Sequence, residues 1–500
     1  MKLHQLFSFF DLNAAQASAD EQHKSLFEQE VTGLFFDARL VTPGSVFVAI
    51  KGNEKDGHQF IDEAIKNGAI AVVVENKSKV LNNESFLVVE APDTRQFLDL
   101  LAARFYNFPS QELFCIGVTG TNGKTSITYI LEHILNANNK LTGVMGTINH
   151  RVGEKIWNSQ MTTPDPVTLQ SRLREFKNLG AVTAAMEVSS HALEQKRAES
   201  VHFDTVIFTN LTLDHLDYHK TMQSYFQAKQ KLFTDQMWSS TKKPKFAVIN
   251  IDDSYGRKLK VADEVVTWTY GQKESDFQFK ILKMSFTETE FELKTPFEMM
   301  KLTVPLSGMH TIYNIVASAV AALSCGVPLA QSFQSLKDFR GIPGRLQIVD
   351  LNKDKTVFVD YAHTPDALKN VLNSLNEVRK NSNLKNKIIT VFGCGGDRDK
   401  SKRPLMAKIA CELSDQVFIT SDNPRTEDPH VIIKEIEHGV PTDFKDFNIE
   451  VDREKAIQAA ILQAFPGDVI LIAGKGHEDY QIIGTEKKYF SDFDVARKYL

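Results

Sequence analysis

The sequence predicts an α/β protein of three domains, and three observations carry that prediction. Its 500 residues exceed what one hydrophobic core usually supports, so length alone favours two to four domains. Short β-branched runs, apolar on both faces, alternate with helical patterns, which is typical of mainly parallel sheets covered by helices. Breaks that carry proline or glycine, at 106–112 and 340–347, divide this alternation into three parts.

The elements follow that division in order. "SVFVAI" and "AIAVVVEN" predict strands of a small N-terminal α/β domain, residues 1–108. Strand and helix patterns then alternate, which predicts a mainly parallel sheet in a central domain, residues 109–342. The segments that carry these patterns are "LFCIGVTG", "SITYILEHILNAN", "AVTAAMEVSS", "DTVIFTNL" and "SYFQAKQKLF". "KTVFVDYAHT", "KIITVFGCGGD", "DQVFITSD" and "DVILIAGKG" predict a second, independent α/β series, residues 343–500.

Composition excludes several classes of protein. With 58 Lys and Arg against 63 Asp and Glu, and a net charge of −5, the chain has no electrostatic footprint for nucleic acid or a membrane surface. We find no signal-peptide pattern and no run of eighteen apolar residues, so we expect a cytoplasmic protein. The four cysteines are far apart and lack metal-ligand spacing, which favours buried free thiols over disulfides or a zinc site.

The stretch "IGVTGTNGKTSITYILEHIL" predicts a phosphate-binding loop. A β-branched run breaks at Gly120 and a helical pattern resumes after Lys124, so bare backbone amides lie at a helix N-terminus, where anions bind. Lys124 is expected to contact the outer phosphates, and the Thr125 hydroxyl a bound Mg²⁺. Only two residues separate Gly120 from Gly123, so the loop is shorter than the common form. An ordinary strand-to-helix turn is the alternative.

Polar residues follow three later elements of the central domain. Glu187 comes after a predicted strand, Asp214 and His215 after another, and Lys229 lies on a helix. The carboxyl ends of parallel strands meet at one edge of a sheet, so these groups are expected near the phosphate loop. Glu187 and His215 are plausible metal ligands. An unmodified Lys229 beside Mg²⁺ is electrostatically unfavourable unless it contacts phosphate or is chemically altered.

The C-terminal series has polar strand ends of its own. "DNPRTEDP" is either a turn bounded by prolines or, through the guanidinium of Arg425, a bidentate site for a carboxylate. "GCGGDR" does not fit a dinucleotide fingerprint, because the sixth position, with Gly393 counted as the first, is Arg398 rather than glycine.

Ten segments, in order from about residue 37 to the C-terminus, together resemble the Mur ligase family. They are "TGTNGKT", "TTPD", "MEVSSHALEQKR", "NLTLDHLDYH", "AKQKLF", "PGRLQ", "VDYAHTPDAL", "GCGGDRDKSKRPLM", "DNPRTEDP" and "GKGHEDYQ". The resemblance implies a UDP-binding N-terminal domain, a phosphate-loop ATPase domain and a Rossmann-like C-terminal domain that binds an amino acid. It also implies a peptidoglycan-precursor ligase that adds meso-diaminopimelate to UDP-N-acetylmuramoyl-L-alanyl-D-glutamate through an acyl phosphate. A monomer is expected.

The resemblance also implies roles for individual residues. Lys124, Glu187, His215 and Lys229 are the expected catalytic residues, with Lys229 carbamylated, and two Mg²⁺ sites use Thr125, Glu187, His215 and that carbamate. The expected ATP contacts are Gly120, Thr121, Asn122, Gly123, Lys124, Thr125, Asn314, Arg345 and Asp360. The expected UDP-dipeptide contacts are Ala38, Thr162, Thr163, Ser189, Gln195 and Arg197. The expected diaminopimelate contacts are Arg398, Asp422, Asn423, Arg425, Gly474 and Glu478.

Three positions depart from the family pattern. Ala38 replaces a serine whose hydroxyl would contact uridine, "GNEKDG" replaces a segment with a His-Gln pair, and Thr311 replaces an asparagine near the adenine. These changes bear on uridine and adenine contacts rather than on the reacting groups.

The residues leave three alternatives open. The first is the same ligation with L-lysine or another diamino acid. The second is a folylpolyglutamate synthase, which has no evident use for "TTPD" and "DNPR". The third is a nucleotide-responsive binding protein without turnover, which would need Gly123 and Lys124 but not Glu187, His215 and Lys229 together.

Overall fold

The computed structural model describes residues 1–8, 25–52, 55–76, 85–339, 341–350, 353–381 and 385–500. Asn53 and Glu54 of the "GNEKDG" segment, and Arg340 of the second predicted break, lie outside the described residues. The described chain forms two compact units, Met1–Thr269 with Val320–Val327 and Tyr270–Ala319 with Pro328–Leu500. The domain bounds 1–108, 109–342 and 343–500 stay a prediction.

The first unit begins with a four-stranded parallel sheet of order β1-β2-β3-β4. Its strands are β1 Leu34–Phe35, β2 Ser45–Val48, β3 Ala69–Val74 and β4 Leu87–Glu90. The α-helices of this part are α1 Leu3–Leu6, α2 Ile61–Lys66 and α3 Thr94–Phe105. Every residue of β2 and β3 is buried, because both sheet faces are covered. This confirms the predicted small α/β region.

The larger sheet of the first unit has the order β12-β11-β10-β5-β9-β6-β7-β8. Its strands are β5 Phe114–Thr119, β6 Thr142–Met145, β7 Asn149–Val152, β8 Lys155–Asn158, β9 Thr183–Glu187, β10 Thr205–Phe208, β11 Lys245–Asn250 and β12 Val265–Gly271. The accompanying α-helices are α4 Lys124–Ala137, α5 Pro166–Asn178, α6 Ser190–Glu194, α7 Leu216–His219, α8 Met222–Gln230 and α9 Met237–Ser239.

Register in this sheet determines where the functional side chains lie. β5 pairs in parallel with β9 and with β10, so the carboxyl ends of the three strands meet at one edge. Thr119 lies opposite Phe208, and Val118 lies opposite Glu187. The phosphate loop after β5 is therefore flanked by the ends of β9 and β10, as parallel-sheet geometry predicts.

The second unit contains an antiparallel stretch that the sequence analysis did not anticipate. Its strands are β13 Phe277–Met284, β14 Thr289–Lys294 and β15 Met299–Val304. Buried residues alternate with less buried ones along β14, and β13 and β15 each contain several exposed residues, so the three strands lack the continuous apolar runs on which the parallel prediction depended. The helices that follow in the chain are α10 Met309–Ser324 and α11 Leu329–Ser335.

A six-stranded sheet of order β16-β17-β21-β18-β19-β20 forms the rest of the second unit, with a separate β22-β23 hairpin. The strands are β16 Gln347–Ile348, β17 Thr356–Asp360, β18 Ile388–Phe392, β19 Gln416–Ile419, β20 Phe447–Ile449, β21 Val469–Ala473, β22 Tyr480–Ile483 and β23 Glu486–Tyr489. The helices are α12 Pro365–Asn381, α13 Lys402–Leu413, α14 Pro429–Glu437, α15 Arg453–Gln463 and α16 Asp492–Tyr499. Strands β17 to β21 are parallel, which confirms the predicted second α/β series.

The four cysteines are free thiols, and Cys115, Cys394 and Cys411 are buried. Burial raises the pKa of each of these thiols, so all three remain protonated at neutral pH. Among the residues that the structure describes, no helix combines the length and apolar character needed to cross a bilayer.

Candidate active site

The phosphate loop has a backbone that only glycine tolerates at its start. Gly120 has φ +145°, and a Cβ there would lie 1.8 Å from the Thr209 hydroxyl. Gly123, at φ +93°, is the N-cap of α4 and directs the first amides of that helix into the loop. The Asn210 carbonyl accepts from the Thr121 amide at 2.8 Å, which ties the loop to the end of β10.

Two lysines converge on one carbonyl of this loop. Lys124 Nζ donates to Gly120 O and to Thr121 O, each at 2.8 Å. Lys229 Nζ, on α8, also donates to Gly120 O at 2.8 Å, although its side chain is almost fully buried. Burial lowers the pKa of Lys229 well below its usual value, and the charge of Lys124 lowers it further. Both effects favour the neutral amine of Lys229 over its ammonium form.

Glu187 ends β9 beside the same loop and is 1% exposed. Its Oε1 accepts from the Thr125 hydroxyl and from the Thr147 amide, both at 2.9 Å, and its Oε2 accepts from the Thr147 hydroxyl at 3.0 Å. Within the described part of the chain, neither lysine nor arginine forms an ion pair with Glu187. A buried carboxylate with only neutral donors suits a bound cation.

His215 lies in a group of aromatic side chains next to the loop. Its ring is 4.9 Å from the His191 ring and 5.9 Å from the Tyr225 ring. Burial lowers the pKa of His215, Asp214 opposes the shift, and the nearby Lys124 and Lys229 charges add to it. The Tyr225 hydroxyl is 3.2 Å from the Thr121 hydroxyl. The imidazole is thus neutral at neutral pH, the form that binds metals.

The predicted UDP-dipeptide residues form a connected chain that leads from Glu187. The Thr163 hydroxyl donates to the Glu187 carbonyl at 2.8 Å and accepts from the Ser189 amide at 3.0 Å. Arg197 Nη1 donates to the Thr163 carbonyl at 3.0 Å, and Arg197 Nε donates to Gln195 Oε1 at 3.0 Å. The Thr162 and Thr147 hydroxyls are 3.1 Å apart, which joins Thr162 to the same group.

Ala38 and Asn314, a predicted UDP-dipeptide contact and a predicted ATP contact, lie in other parts of the fold than the group around Glu187. Ala38 is 4% exposed and packs among the apolar residues of the first four-stranded sheet, so its methyl group contributes to that core. Asn314 lies on α10, where its carbonyl accepts from the Ser318 hydroxyl at 2.7 Å. Thr311 is in the first turn of the same helix, and its amide donates to Gly308 O at 3.0 Å.

A second polar cluster lies at the carboxyl edge of the six-stranded sheet. Asn423 Nδ2 donates to Glu478 Oε2 at 3.0 Å, while Asn423 Oδ1 accepts from the Ile482 amide at 2.9 Å. Lys475, whose side chain is fully buried, lies 3.4 Å from both Asn423 Oδ1 and Glu478 Oε2. Gly474 has φ +118°, and a Cβ there would lie 2.7 Å from Asp422 Oδ2. Six predicted amino-acid contacts converge at this edge: Arg398, Asp422, Asn423, Arg425, Gly474 and Glu478.

Charges in this cluster balance one another. Burial raises the pKa of Asp422, while the Arg453 and Lys475 charges oppose that shift. Arg453 is fully buried and donates to both oxygens of Asp492 at 2.7 Å. Arg425 Nη1 donates to the Gly396 carbonyl at 2.7 Å. The cluster therefore offers both acidic and basic groups to a zwitterion.

Arg345 and Asp360 are close neighbours in the second unit. Asp360 Oδ2 accepts from the Leu346 amide at 2.7 Å and Oδ1 accepts from the Ala362 amide at 2.8 Å. Burial raises the pKa of Asp360, and the Arg345 charge opposes that shift. The Arg345 guanidinium carbon is 5.5 Å from the centre of the Tyr361 ring. In this structure, Asp360 chiefly positions the segment that carries Arg345.

Sequence reasoning missed several residues of these clusters. Thr147, Tyr225 and His191 surround the loop, and Lys475 and Arg453 support the second cluster. His191 and Lys475 lie within quoted motifs, yet spacing carries no signal for their contacts. In the part of the chain that the structure describes, no three His, Cys, Asp or Glu side chains group as a metal site. The predicted metal set instead combines a hydroxyl, a carboxylate, an imidazole and a modified amine.

This geometry is typical of a nucleotide-binding α/β protein, and the second polar cluster carries both acidic and basic groups. Three family models match the chain: the Mur ligase family catalytic domain at residues 30–106, the Mur ligase middle domain at 118–322 and the Mur ligase glutamate ligase domain at 344–476. The chain belongs to the Mur ligase family, whose members use ATP, and it has the family's three-domain α/β fold.

Individual relatives are similar over nearly the whole chain. A UDP-N-acetylmuramoyl-L-alanyl-D-glutamate–2,6-diaminopimelate ligase of Thermosynechococcus vestitus is 43% identical over 98% of this chain and 97% of the relative. A ligase with the same name from Listeria innocua is 40% identical over 99% and 98%. A solved structure of an enzyme with that name superposes with a TM-score of 0.73, at 31% identity, over 100% of this chain and 98% of the other.

Proposed function

We propose that this chain adds meso-diaminopimelate to UDP-N-acetylmuramoyl-L-alanyl-D-glutamate, with ATP as the energy source. The names of relatives that are 40% to 43% identical over almost the full length support this substrate pair. The amide bond forms through an acyl phosphate in the synthesis of peptidoglycan precursors.

One observation carries the proposal: two lysine ammonium positions meet at the Gly120 carbonyl, beside a carboxylate that has no cationic partner among the described residues. Lys124 and Lys229 each lie 2.8 Å from Gly120 O. Two adjacent like charges in a buried site are unfavourable, and the lowered pKa of Lys229 favours the neutral form of that amine. Carbamylation of Lys229 by CO₂ replaces that amine with an anion, which suits a metal site containing Glu187.

The residues present fit a bound Mg²⁺. Thr125, Glu187, His215 and carbamylated Lys229 would hold it in two sites, where it would neutralise charge on the phosphoryl oxygens. The amides of residues 120–125 and the Lys124 ammonium would hold the ATP phosphates. Asn314, Arg345 and Asp360 stay predicted ATP contacts.

The reaction proceeds in two displacements. The γ-carboxylate of D-glutamate attacks the γ-phosphorus of ATP, so a C–O–P bond forms as the bond to ADP breaks. The amine of diaminopimelate, after losing its proton, attacks the acyl carbon, and inorganic phosphate leaves. Arg197 and Gln195 would orient the carboxylate with Thr162, Thr163 and Ser189; Ala38 stays a predicted contact of the UDP end.

Arg425 gives a physical reason for the choice of amine. Diaminopimelate carries a second carboxylate that the guanidinium can pair, whereas lysine would leave a guanidinium covered by substrate with only its bond to the Gly396 carbonyl, at a cost of about 2 to 5 kcal/mol. The deficit disfavours lysine by a factor on the order of 10³. Glu478 and Asp422 would bind the ammonium group, and Arg398, Asn423 and Gly474 complete the site.

Two other candidates stay distinguishable. A ligase for L-lysine would share every group of the phosphate loop, so only the amine site separates it from the proposal. A binding protein without turnover has no use for a buried carboxylate and a buried lysine of lowered pKa beside a phosphate loop. Monomeric state and cytoplasmic location stay predictions.

The test is ADP release in a coupled assay with the UDP-dipeptide and a series of amines. We expect release with meso-diaminopimelate and release lower by a factor on the order of 10³ with L-lysine. Release with lysine but not diaminopimelate would overturn the proposed amine. No release with any amine would support the binding protein.

A further inference from the structure

Two loops carry the arginines of the amino-acid site. The glycine loop, residues 393–398, follows β18, and the DNPR loop, residues 422–427, follows β19. A Cβ on Gly395 would lie 2.9 Å from Arg425 Nη1 and 3.9 Å from Arg398 Cγ. Both arginines therefore lie next to Gly395, so the contacts that hold the two loops together also govern the separation of the two guanidinium charges.

Polar contacts join the loops along their length. The Gly396 amide donates to Asn423 O at 2.9 Å. Thr426 donates to the Asp397 carboxylate twice, from its hydroxyl at 2.7 Å and from its amide at 3.2 Å. Asp397 has φ +53°, a left-handed conformation unusual for a residue other than glycine, so this contact stabilises a strained turn next to Arg398.

Glu427 closes the connection. Its Oε1 accepts from the Asp397 amide at 2.6 Å and from Arg403 Nη2 at 2.9 Å, while its Oε2 accepts from Arg403 Nη1 at 3.0 Å. Arg403 Nη2 also lies 3.3 Å from the Gly395 carbonyl. A single carboxylate thus joins the end of the DNPR loop to the glycine loop and to helix α13.

Arg403 has a second partner that offers a matched comparison. Its side chain is fully buried, and its Nη1 also donates to Glu435 Oε2 on α14 at 2.5 Å. Among the described residues, Glu435 forms no hydrogen bond with either loop, whereas Glu427 bonds the Asp397 amide. Lys400, near both glutamates, balances the charge of the group.

We propose that Glu427, held by Arg403, is a positioning residue that sets the spacing of Arg398 and Arg425 for the second carboxylate of the amino-acid substrate. The proposal rests on the proposed function, since it concerns how that amine is recognised. The Arg403 hydrogen bonds lower the pKa of Glu427 to about 2, so the carboxylate of this clamp, the bonds from Glu427 to Arg403 and to the Asp397 amide, stays ionised throughout the pH range in which a ligase would be assayed.

The test compares two substitutions that remove one negative charge next to the same arginine. In Glu427→Gln one of the two carboxylate oxygens becomes an NH₂ group, which would face a donor, either Arg403 Nη1 or the Asp397 amide, so the set of three bonds cannot be kept and the negative charge is lost. We expect the KM for diaminopimelate to rise by about 10-fold or more, with the KM values for ATP and UDP-dipeptide within about twofold. The ratio of kcat/KM for diaminopimelate to that for lysine should fall by a similar factor. Glu435→Gln should change each value by less than about threefold.

A second readout does not depend on turnover. Hydrogen exchange at the Asp397 amide should accelerate in Glu427→Gln and stay unchanged in Glu435→Gln. Equal effects of both substitutions on KM, or faster exchange without a change in KM, would overturn the positioning role. Unchanged exchange in Glu427→Gln would overturn the clamp itself. A wild-type enzyme inactive with every amine, but with the expected exchange difference, would count against the proposed function and in favour of the clamp.

Discussion

The phosphate loop and the amino-acid site are built in different ways. The loop consists of a few consecutive residues in which Gly120 and Gly123 leave backbone amides bare, so it depends on local conformation. The proposed amino-acid site draws buried charges from separate segments, among them Lys475 after β21 and Arg453 at the start of α15, whose side chains are fully buried. Binding of a phosphate needs little more than oriented backbone, whereas recognition of a zwitterion needs fixed counter-charges that are themselves compensated.

Lys229 is the exception beside the phosphate loop, because its proposed role as a metal ligand depends on a side chain rather than on backbone amides. If Lys229 carries the proposed carbamate, Lys229→Ala should lower kcat by roughly 10²-fold or more, because it would remove an anionic metal ligand worth several kcal/mol to the charged transition state. Added acetate or formate should restore part of the rate, measured as ADP release, because a small carboxylate can occupy the vacated space.

Lys245 supplies the control for that prediction. It is another buried lysine that donates to a backbone carbonyl, Met237 O, at 2.7 Å, but it lies on β11. Lys245→Ala should lose stability, and short carboxylates should not increase its rate. Equal rescue of both variants, or of neither, would show that Lys229 is an ordinary structural lysine.

In the second site, the largest effect is expected from Arg425, the side chain proposed to pair the substrate carboxylate. Arg425→Met should lower kcat/KM for diaminopimelate by about 100-fold, as a charge-assisted pair is lost, and change the value for L-lysine much less. Rates with the two amines measured side by side give the ratio. A parallel fall with both amines would instead assign Arg425 to loop structure through its bond to Gly396.

Asp99 sharpens the comparison, because it is a buried charge without a compensating cation. It lies on α3, its Oδ2 accepts from the Ser200 amide at 2.6 Å, and burial raises its pKa to about 7. The folded chain then holds this proton more tightly than the unfolded chain, so the free energy of unfolding falls as pH rises from about 4 to 7. The total is roughly 4 kcal/mol at most.

Asp99→Asn should remove that slope. Relative to wild type, the variant should gain stability progressively between pH 4 and 7 and keep a constant advantage above pH 7. Urea unfolding at several pH values measures the difference in unfolding free energy between the variant and wild type. Burial lowers the pKa of His150 to about 4, which gives a pH dependence of the opposite sign. Because both proteins contain His150, its contribution cancels in the difference. Curves that stay parallel across this range would contradict the assignment.

What could be predicted from sequence follows the same division. The turn at Gly120 and the strand-end position of Glu187 depend on local pattern and on the rule that parallel strands end at one edge, so they were predictable, as was the helix that carries Lys229. Lys475 and Glu427 were not, because burial of a charge depends on partners supplied by distant segments. The antiparallel strands β13 to β15 were missed because one face of them is exposed and their apolar runs are short.

The most direct test of the metal-site proposal is ¹³C NMR of the protein equilibrated with ¹³C-bicarbonate. A carbamate resonance should be present in wild type, absent in Lys229→Ala, and broadened when Mn²⁺ and ATP are added. No carbamate resonance in wild type, one that persists in Lys229→Ala, or one that Mn²⁺ leaves sharp, would contradict a metal centre built on Lys229 beside the phosphate loop.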